Sequence, residues 1–258
     1  MNFDRIIAVR NDKTVYRDGE CCMKVFNADY YSKADVLNEA LNQARAEETG
    51  LKIPKVLEVV LDGGKLGRVN LITMNFGSFK DYNMKGKTLS ELMEEEPERK
   101  DEYLEKLVDI QLEMHSKTCP LLIKLRDRMS RKINMADLPA TKRYDLYTRL
   151  QAMPKHSKVC HGDFNPSNVL ISEDGEPYIL DWSHATQGNA AADAANTYLM
   201  FLLDGDETGA DKYLSLFCEK SKTAEEYVRR WIPIVAATRS VECGDSARDM
   251  LNGWISEN

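Results

Sequence analysis

The stretch that most constrains this chain runs from Val159 to Trp182, VCHGDFNPSNVLISEDGEPYILDW. Two short apolar segments, Val169–Ser172 and Pro177–Leu180, flank the sequence Glu-Asp-Gly-Glu, in which Asp-Gly is a strong signal for a two-residue β-hairpin turn. With Asp-Gly as the turn, cross-strand pairing places Asn168 opposite Asp181. Because directly opposed residues have Cβ atoms about 4.5–5.5 Å apart, the turn predicts that these two oxygen-bearing side chains lie together.

The same stretch carries four polar residues at a recognisable spacing: His161-x-Asp163, then Asn168 after four residues, then Asp181. Phosphoryl-transfer sites use this spacing, in which the first Asp accepts the proton of the attacking hydroxyl while the Asn and the later Asp hold magnesium on the nucleotide phosphates. The alternative is a surface hairpin that carries Asp and Asn because these residues favour turns. The coincidence of the motif with the hairpin favours the phosphoryl-transfer site.

The composition limits the class of protein. A chain of 258 residues is long enough for one large domain or two small lobes. The net charge of −7 argues against nucleic acid as the main partner and is compatible with a cationic substrate. None of the six cysteines forms a Cys-x-x-Cys pair, which favours free thiols over zinc or disulfides. Without a long apolar segment, we expect a soluble cytoplasmic protein with no membrane partner; the sequence leaves its oligomeric state open.

Residues 1–80 are predicted to form a mostly β unit with one helix. Turn signals at Asp18-Gly19 and Asp62-Gly63-Gly64 separate short apolar segments. The segment Ser32–Gly50 is predicted to be an amphipathic helix with Ser32 as its N-cap. Its apolar stripe is predicted to consist of Leu37, Ala40, Leu41 and Ala44. Residues 81–258 are predicted to be mainly helical, apart from the stretch described above.

Four charged or titratable residues outside the central motif have two interpretations each. Lys24 lies inside a predicted strand, where it either is solvated or reaches nucleotide phosphates. Glu39 lies on the predicted helix, where it either is solvated or pairs with Lys24. Asp193 either complements a helix dipole or anchors the catalytic-loop backbone, and His115 is interpreted as a helix-end histidine rather than a ligand.

Three motifs now suggest a family: CHGDFNPSNVL at 160–170, ILDWSHATQGNAAADAANTYL at 179–199 and CMKVF at 22–26. Through these motifs the chain resembles the bacterial aminoglycoside phosphotransferase/choline kinase family, within the protein-kinase-like superfamily. The resemblance implies an α+β, bilobal protein-kinase-like fold. It also implies a small β-rich nucleotide-binding lobe at 1–80 and a larger, mainly helical catalytic and substrate-binding lobe at 81–258.

The resemblance also implies roles for the central motif. Asp163 would be the catalytic base, Asn168 and Asp181 the magnesium ligands, and His161 a structural residue of the loop. The family uses ATP or GTP together with Mg²⁺ and phosphorylates hydroxyl groups of small molecules. An enzyme of this kind would have a small-molecule substrate as its partner.

Three further roles are implied by the resemblance. Lys24 and Glu39 would form the ion pair that aligns the nucleotide phosphates, and Asp193 would hold the catalytic loop. The sequence also departs from the family pattern, and the segment after Met74 is longer than usual. The segment VRNDKTV, between Ala8 and Tyr16, has no glycine, so no Gly-rich phosphate loop is visible, and Asn165 stands where many relatives carry His.

The sequence therefore predicts a kinase that transfers the γ-phosphoryl group of ATP or GTP to a hydroxyl of a small polar molecule, with a cationic molecule as one option. One alternative is a choline or ethanolamine kinase, although no complete choline-kinase signature is present. Another is a nucleotide-binding regulatory module without catalysis, which the intact set of site residues disfavours. A protein kinase is disfavoured because no Ala-Pro-Glu segment follows Asp181 and Trp-Ser replaces Phe-Gly after it.

Overall fold

The computed structural model describes residues 5–9, 13–18, 21–61, 65–66, 69–78 and 86–256. By their contacts they form two compact units. The N-terminal unit comprises residues 1–90 together with 167–184, and the C-terminal unit comprises 91–166 together with 185–258. The lobe boundary expected at residue 80 lies outside the described residues and stays a prediction.

An antiparallel sheet forms the centre of the N-terminal unit. Its strands are β1 (Arg5–Val9), β2 (Lys13–Asp18), β3 (Cys21–Asn27), β4 (Val56–Val60), β5 (Lys65–Leu66) and β6 (Val69–Ser78). The strand order is β1-β2-β3-β6-β4, with β5 paired to β6. The inner strand β3 is buried on both faces, because Phe26 packs with the helix side of the sheet while Met23 and Val25 pack on the other. The predicted turn residues Gly19 and 62–64 lie outside the described residues.

The predicted helix is present as α1 (Lys33–Glu47). Ser32 is its N-cap and forms a capping box, in which Asp35 N–H donates to Ser32 Oγ (3.2 Å) and Ser32 N–H donates to Asp35 Oδ2 (2.9 Å). The cap was predicted correctly.

The predicted apolar stripe of α1 is correct for Ala40, which is buried, and wrong for its two leucines. Leu37 and Leu41 are about half exposed, and the buried face includes the polar residues Glu39, Asn42 and Gln43. These side chains are buried because each has a partner: for example, Gln43 Nε2 donates to the carbonyl oxygen of Pro54 (2.6 Å). Hydrophobic periodicity cannot detect a helix face that is buried through polar contacts.

A second, three-stranded sheet in the N-terminal unit has the order β10-β9-β7. Its strands are β7 (Gly86–Thr88), β9 (Val169–Ser172) and β10 (Pro177–Ile179). The hairpin between β9 and β10 is the one predicted from the sequence. Strand β10 contacts the segment that follows α1, since Ile179 N–H donates to the carbonyl oxygen of Lys52 (3.1 Å).

The predicted register of this hairpin is wrong by one residue. Ser172 and Glu176 close the loop, and Gly175 adopts a left-handed conformation (φ 83°), so the loop has three residues rather than two. Ile179 consequently pairs with Val169, and Leu180 N–H donates to the carbonyl oxygen of Asn168 (2.8 Å). Asn168 therefore does not face Asp181 across the ladder.

Helices build the C-terminal unit. They are α3 (Lys100–Ser116), α4 (Leu125–Met135), α5 (Ala140–Ala152), α6 (Ala190–Leu203), α7 (Glu207–Ser221), α8 (Glu225–Arg229), α9 (Ile232–Arg239) and α10 (Asp245–Ser256), while α2 (Leu89–Glu95) spans the division between the units. Three short 3₁₀ segments lie at Pro97–Arg99, Pro166–Asn168 and Trp182–His184. Within the described residues, no helix is both long and apolar enough to cross a membrane.

Helix α6 is the centre of the C-terminal unit, since its residues from Ala191 to Leu199 are all buried. It packs against α7, α8 and α9, while α3 packs against α7. A short strand pair, β8 (Lys158–Cys160) with β11 (Thr186–Gly188), was not predicted from the sequence. This pair ends directly before His161, so it fixes the start of the loop that carries Asp163.

Candidate active site

Lys24 and Glu39 form a buried ion pair inside the N-terminal unit. Lys24 is on β3, on the same face as Phe26, and its Nζ contacts Oε1 of Glu39 on α1. The two residues are only 4% and 2% exposed, so the interpretation that either side chain is solvated is wrong. The structure brings together the two residues that the sequence paired; their role toward a nucleotide stays a prediction.

Asp181 joins this pair and adds a second lysine. Its Oδ1 lies 3.2 Å from Lys24 Nζ and accepts from Ser183 Oγ (3.0 Å), and its Oδ2 lies 2.7 Å from Lys13 Nζ. Lys13 is the first residue of β2 and follows the glycine-free segment noted above. Sequence reasoning missed Lys13, because nothing distinguishes it from a solvated strand lysine.

The charges of this cluster are balanced, with Lys13 and Lys24 opposing Glu39 and Asp181. Burial by itself lowers the pKa of Lys24, but the carboxylates of Asp181 and Glu39 outweigh burial and raise it. Burial by itself raises the pKa of Asp181, but Lys24 and Lys13 hold it well below the usual range for an aspartate. Asp181 is therefore a carboxylate anion at any physiological pH.

The donor chemistry of the N-terminal unit fits a divalent cation such as Mg²⁺. Asn168 supplies a buried amide and Asp181 a carboxylate, and magnesium is bound by a few such oxygens with phosphates and waters completing its coordination. Two ammonium groups already lie against Asp181, which shows that this carboxylate is placed to hold positive charge. Whether Asn168 and Asp181 act as the metal ligands stays a prediction.

Asp163 lies in the C-terminal unit, where a guanidinium group contacts it. Arg239 on α9 donates from Nη1 and Nη2 to Oδ1 of Asp163 (3.3 and 3.4 Å), and from Nη1 to Oδ1 of Asn196 on α6 (2.9 Å). Asn196 Nδ2 in turn donates to the carbonyl oxygen of Gly162 (3.0 Å). Sequence reasoning did not identify Arg239 as a site residue, since its contact with Asp163 spans 76 residues of sequence.

Asp193 holds the loop that carries Asp163. Its carboxylate accepts from the backbone N–H groups of His161 (3.0 Å) and Gly162 (2.7 Å), and its Oδ2 lies 3.0 Å from Nε2 of His115. Burial raises the pKa of Asp193, but the hydrogen bond and charge of His115 and the loop amide lower it overall. Asp193 therefore makes the backbone contacts that the anchoring interpretation requires, and its role in the site stays a prediction.

His161 stabilises the same loop from within. The ring is fully buried, and Asp163 N–H donates to its Nδ1 (3.2 Å), so Nδ1 is the unprotonated nitrogen. His115 lies in the last turn of α3, as predicted, and its side chain is buried there. His161 thus contacts the loop directly and His115 contacts it through Asp193, while the structural role of His161 stays a prediction.

The two units together define a protein-kinase-like fold: a sheet with a buried Lys–Glu pair, and a helical unit that holds a His-x-Asp loop. The chain belongs to the phosphotransferase enzyme family, whose family model matches residues 8–231. Membership of this family makes it a phosphotransferase. No curated protein sequence matches the chain.

Solved structures confirm the fold. An aminoglycoside-3'-phosphotransferase of type VIII is 16% identical with a TM-score of 0.66, and the alignment covers 92% of this chain and 94% of that one. Choline kinase LicA from Streptococcus pneumoniae is 14% identical with a TM-score of 0.61, covering 97% and 92%. Amicoumacin kinase hAmiN, in complex with AMP-PNP and Ca²⁺, is 10% identical with a TM-score of 0.63, covering 96% and 86%.

Proposed function

We propose that this chain is a small-molecule kinase that transfers the γ-phosphoryl group of ATP or GTP to a hydroxyl group of a small polar acceptor. The observation that carries the proposal is the buried cluster of Lys24, Glu39, Asp181 and Lys13 in the N-terminal unit. Burying four charges is costly unless they are paired, and such a cluster is suited to exchanging part of its pairing for phosphate oxygens.

In this proposal the two lysines bind the nucleotide. Glu39 holds Lys24 in place, and the ammonium groups of Lys24 and Lys13 neutralise the negative charge of the phosphates. Lys13 compensates for the missing Gly-rich loop, because its ammonium group supplies charge where backbone amides would otherwise bind phosphate. Asn168 and Asp181 would hold Mg²⁺, which would supply positive charge to neutralise the nucleotide phosphates.

Asp163 would orient the acceptor hydroxyl and take its proton on the carboxylate. Asp193 and His161 keep the Asp163 backbone fixed, since each hydrogen-bonds to the loop amides around it. Arg239 then limits how Asp163 can rotate, because it links that carboxylate to Asn196. Catalysis would thus consist of positioning and charge neutralisation rather than covalent chemistry.

For the acceptor, we favour a cationic polyhydroxyl or amino-alcohol compound. Burial raises the pKa of Asp204, Arg239 lowers it, and the negative charge of Asp163 raises it further. Arg239 contacts Asp163, and Asp204 lies close enough for the charges of both residues to affect its pKa. Two carboxylates and one guanidinium group therefore lie in this region, and their net negative charge would favour an acceptor with an amine. The names of the structural neighbours support the same class, with choline or ethanolamine as the alternative acceptors. A cytoplasmic location would supply the nucleotide and keep the cysteines reduced.

The first experiment measures phosphoryl transfer from ATP and GTP, with Mg²⁺, to a panel of aminoglycosides, amino-sugars, choline and ethanolamine. Asp163→Asn is expected to reduce the turnover number by at least about a hundredfold, because general-base catalysis contributes about 10²–10⁴. The matched control is Asp211→Asn, at an exposed position of α7.

The outcomes separate the candidate functions. Transfer only to choline or ethanolamine would support that kinase class, and wild-type turnover in Asp163→Asn would contradict the assignment of the base. Tight nucleotide binding with neither transfer to an acceptor nor hydrolysis of the nucleotide would instead support a regulatory module. Thermal-shift measurements with each nucleotide and acceptor supply the binding data, since a ligand that binds the native state raises its melting temperature.

A further inference from the structure

A cleft of about 320 Å³ lies in the C-terminal unit at the start of α6, and we refer to it as the α6 cleft. Its polar lining includes His115, His156, Lys158, Asn189 and Tyr227. His156 is exposed, so the cleft is open to solvent, while His115 and Asn189 are buried. None of the residues that take part in the proposed phosphoryl transfer is among these lining residues.

The α6 cleft is basic in a protein that is acidic overall. The chain has 42 acidic and 35 basic residues, yet none of the cleft-lining residues that the structure describes carries a carboxylate. In the part of the chain that is described, neither Lys158 nor His156 has a carboxylate partner. Because Lys158 and His156 lack such a partner, this side of the cleft would attract an anion.

Hydrogen-bond donors also converge on the cleft. Asn189 caps α6, with Ala191 N–H donating to its Oδ1 (3.0 Å), and its Nδ2 donates to the hydroxyl oxygen of Tyr227 (2.6 Å). Because the Tyr227 oxygen accepts this bond, its own hydrogen remains available to a ligand. The start of α6 contributes the positive end of a 14-residue helix.

His115 provides an independent indication of a ligand. His115 is only 4% exposed, and its Nε2 is hydrogen-bonded to Asp193. Its Nδ1 is buried and has no hydrogen-bond partner among the described atoms. An unpaired buried imidazole nitrogen is unfavourable, and each such group calls for a partner. Because Nε2 faces the Asp193 carboxylate, it carries the ring proton and Nδ1 is an acceptor. A water that donates one hydrogen to Nδ1 and the other to an oxyanion in the α6 cleft would supply that partner.

We propose that the α6 cleft is a binding site for a small phosphate-type oxyanion, either free or as the phosphate of a small monoester, held by Lys158, His156 and Tyr227. A tetrahedral oxyanion can accept from several donors at once, which suits a cleft whose polar lining offers cations and hydrogen-bond donors without a carboxylate. A monocarboxylate would use fewer of these donors.

The site is coupled to the catalytic loop through one side chain. His115 contacts Asp193, and Asp193 accepts from the amides of His161 and Gly162. A ligand that changes the hydrogen bonding of His115 therefore changes the electronic environment of these two amides. The chemical shifts of His161 and Gly162 would then report on occupancy of a cleft that neither residue lines.

The test is a titration of the full-length protein with inorganic phosphate, followed by ¹⁵N NMR of the imidazole nitrogens and backbone amides. We expect saturable shifts of His115, His156 and Ala191, together with smaller shifts of His161 and Gly162. Lys158→Gln and, separately, His156→Gln are each expected to weaken phosphate binding by about tenfold or more, as for a lost charge-assisted hydrogen bond. Lys155→Gln, at an exposed position that does not line the cleft, is the matched control and is expected to bind as the wild type does.

Two further arms decide the ligand and the location. Glycerol phosphate binding more tightly than inorganic phosphate would identify a monoester as the natural ligand class, and the reverse would identify the free anion. Acetate binding as tightly as phosphate would overturn the phosphate assignment. Loss of the response in Lys24→Met would place the phosphate in the nucleotide site and overturn the proposal, as would the absence of saturable shifts at His115 and His156 in the wild type.

Discussion

The buried ion pair of Lys24 and Glu39 allows a sharp test through a double-mutant cycle. Lys24→Met leaves Glu39 buried without its partner, and breaking a buried pair in this way costs about 3–5 kcal/mol of unfolding free energy. Glu39→Gln costs less, about 1–3 kcal/mol, because Lys24 keeps Asp181 at 3.2 Å and the amide can still accept a hydrogen bond.

The double variant Lys24→Met/Glu39→Gln removes both charges and so avoids the isolated carboxylate. We expect it to be more stable than Lys24→Met alone, with a coupling of at least about 1 kcal/mol between the two sites. Urea unfolding gives the stabilities, and hydrogen exchange followed by mass spectrometry shows whether the loss is local to β3 and α1. Isothermal calorimetry with a non-hydrolysable nucleotide reports binding separately, and both variants that lack Lys24 should bind it weakly.

The exposed pair Lys52–Glu176 is the matched control, since it links the same unit but both side chains are about half exposed. Surface pairs contribute little, so Lys52→Met, Glu176→Gln and their combination should unfold much as the wild type does. Strictly additive losses for Lys24→Met and Glu39→Gln, or a Lys24→Met variant as stable as the wild type, would refute the conclusion that this pair is a coupled buried unit.

Three further predictions concern other parts of the chain. Burial lowers the pKa of Lys132 in the folded state to about 8 despite the nearby Glu242, so the unfolded state binds more protons than the folded state between about pH 8 and 10.5. The contribution of Lys132 to the unfolding free energy should therefore rise with pH through that window by about 3 kcal/mol. Urea unfolding at each pH measures this rise, and Lys132→Met should abolish it. Asp193→Asn replaces a carboxylate oxygen that accepts from the loop N–H groups by an NH₂ group, which cannot accept. It should lower the unfolding free energy by about 1–3 kcal/mol, measured by urea unfolding, and should also lower the turnover number. The control Asp211→Asn should change neither quantity. In Gly175→Ala the added methyl group would contact no neighbouring atom, but the backbone would keep its φ of 83°, which strains an alanine. The unfolding free energy should therefore fall by about 1 kcal/mol, again measured by urea unfolding. An unchanged unfolding free energy would show that the loop relaxes to another conformation.

The sequence predicted those parts of the site that depend on local chemistry. The N-cap of α1 was predictable because it involves only two residues that are close in the sequence, Ser32 and Asp35, which hydrogen-bond to each other's backbone N–H groups. The Lys24–Glu39 pair was predicted from the kinase-type pattern of a strand lysine with a helix glutamate, and the structure places the two side chains in contact. The family resemblance agrees with the family model and with the structural neighbours.

Other features depend on contacts that a one-dimensional pattern does not contain. The hairpin register was missed because Ser172 closes a three-residue loop through its backbone and its hydroxyl group, and Asp-Gly alone does not distinguish the two turn lengths. Lys13 and Arg239 were missed because each contacts its partner across a large separation in sequence. The exposed Leu37 shows the converse, since an apolar residue at helical spacing need not be buried.

The backbone of Asp181 has φ of 63°, in the left-handed region. Apart from glycine, asparagine and aspartate are the residues that adopt this conformation most readily, and other side chains pay about 1–2 kcal/mol. Codons for aspartate become codons for asparagine or glycine through single-base changes. Replacement by either residue would therefore preserve the backbone of this position but would take the carboxylate away from Lys13 and Lys24. The same aspartate thus ties the local backbone conformation to the charge balance of the cluster, and no single replacement keeps both.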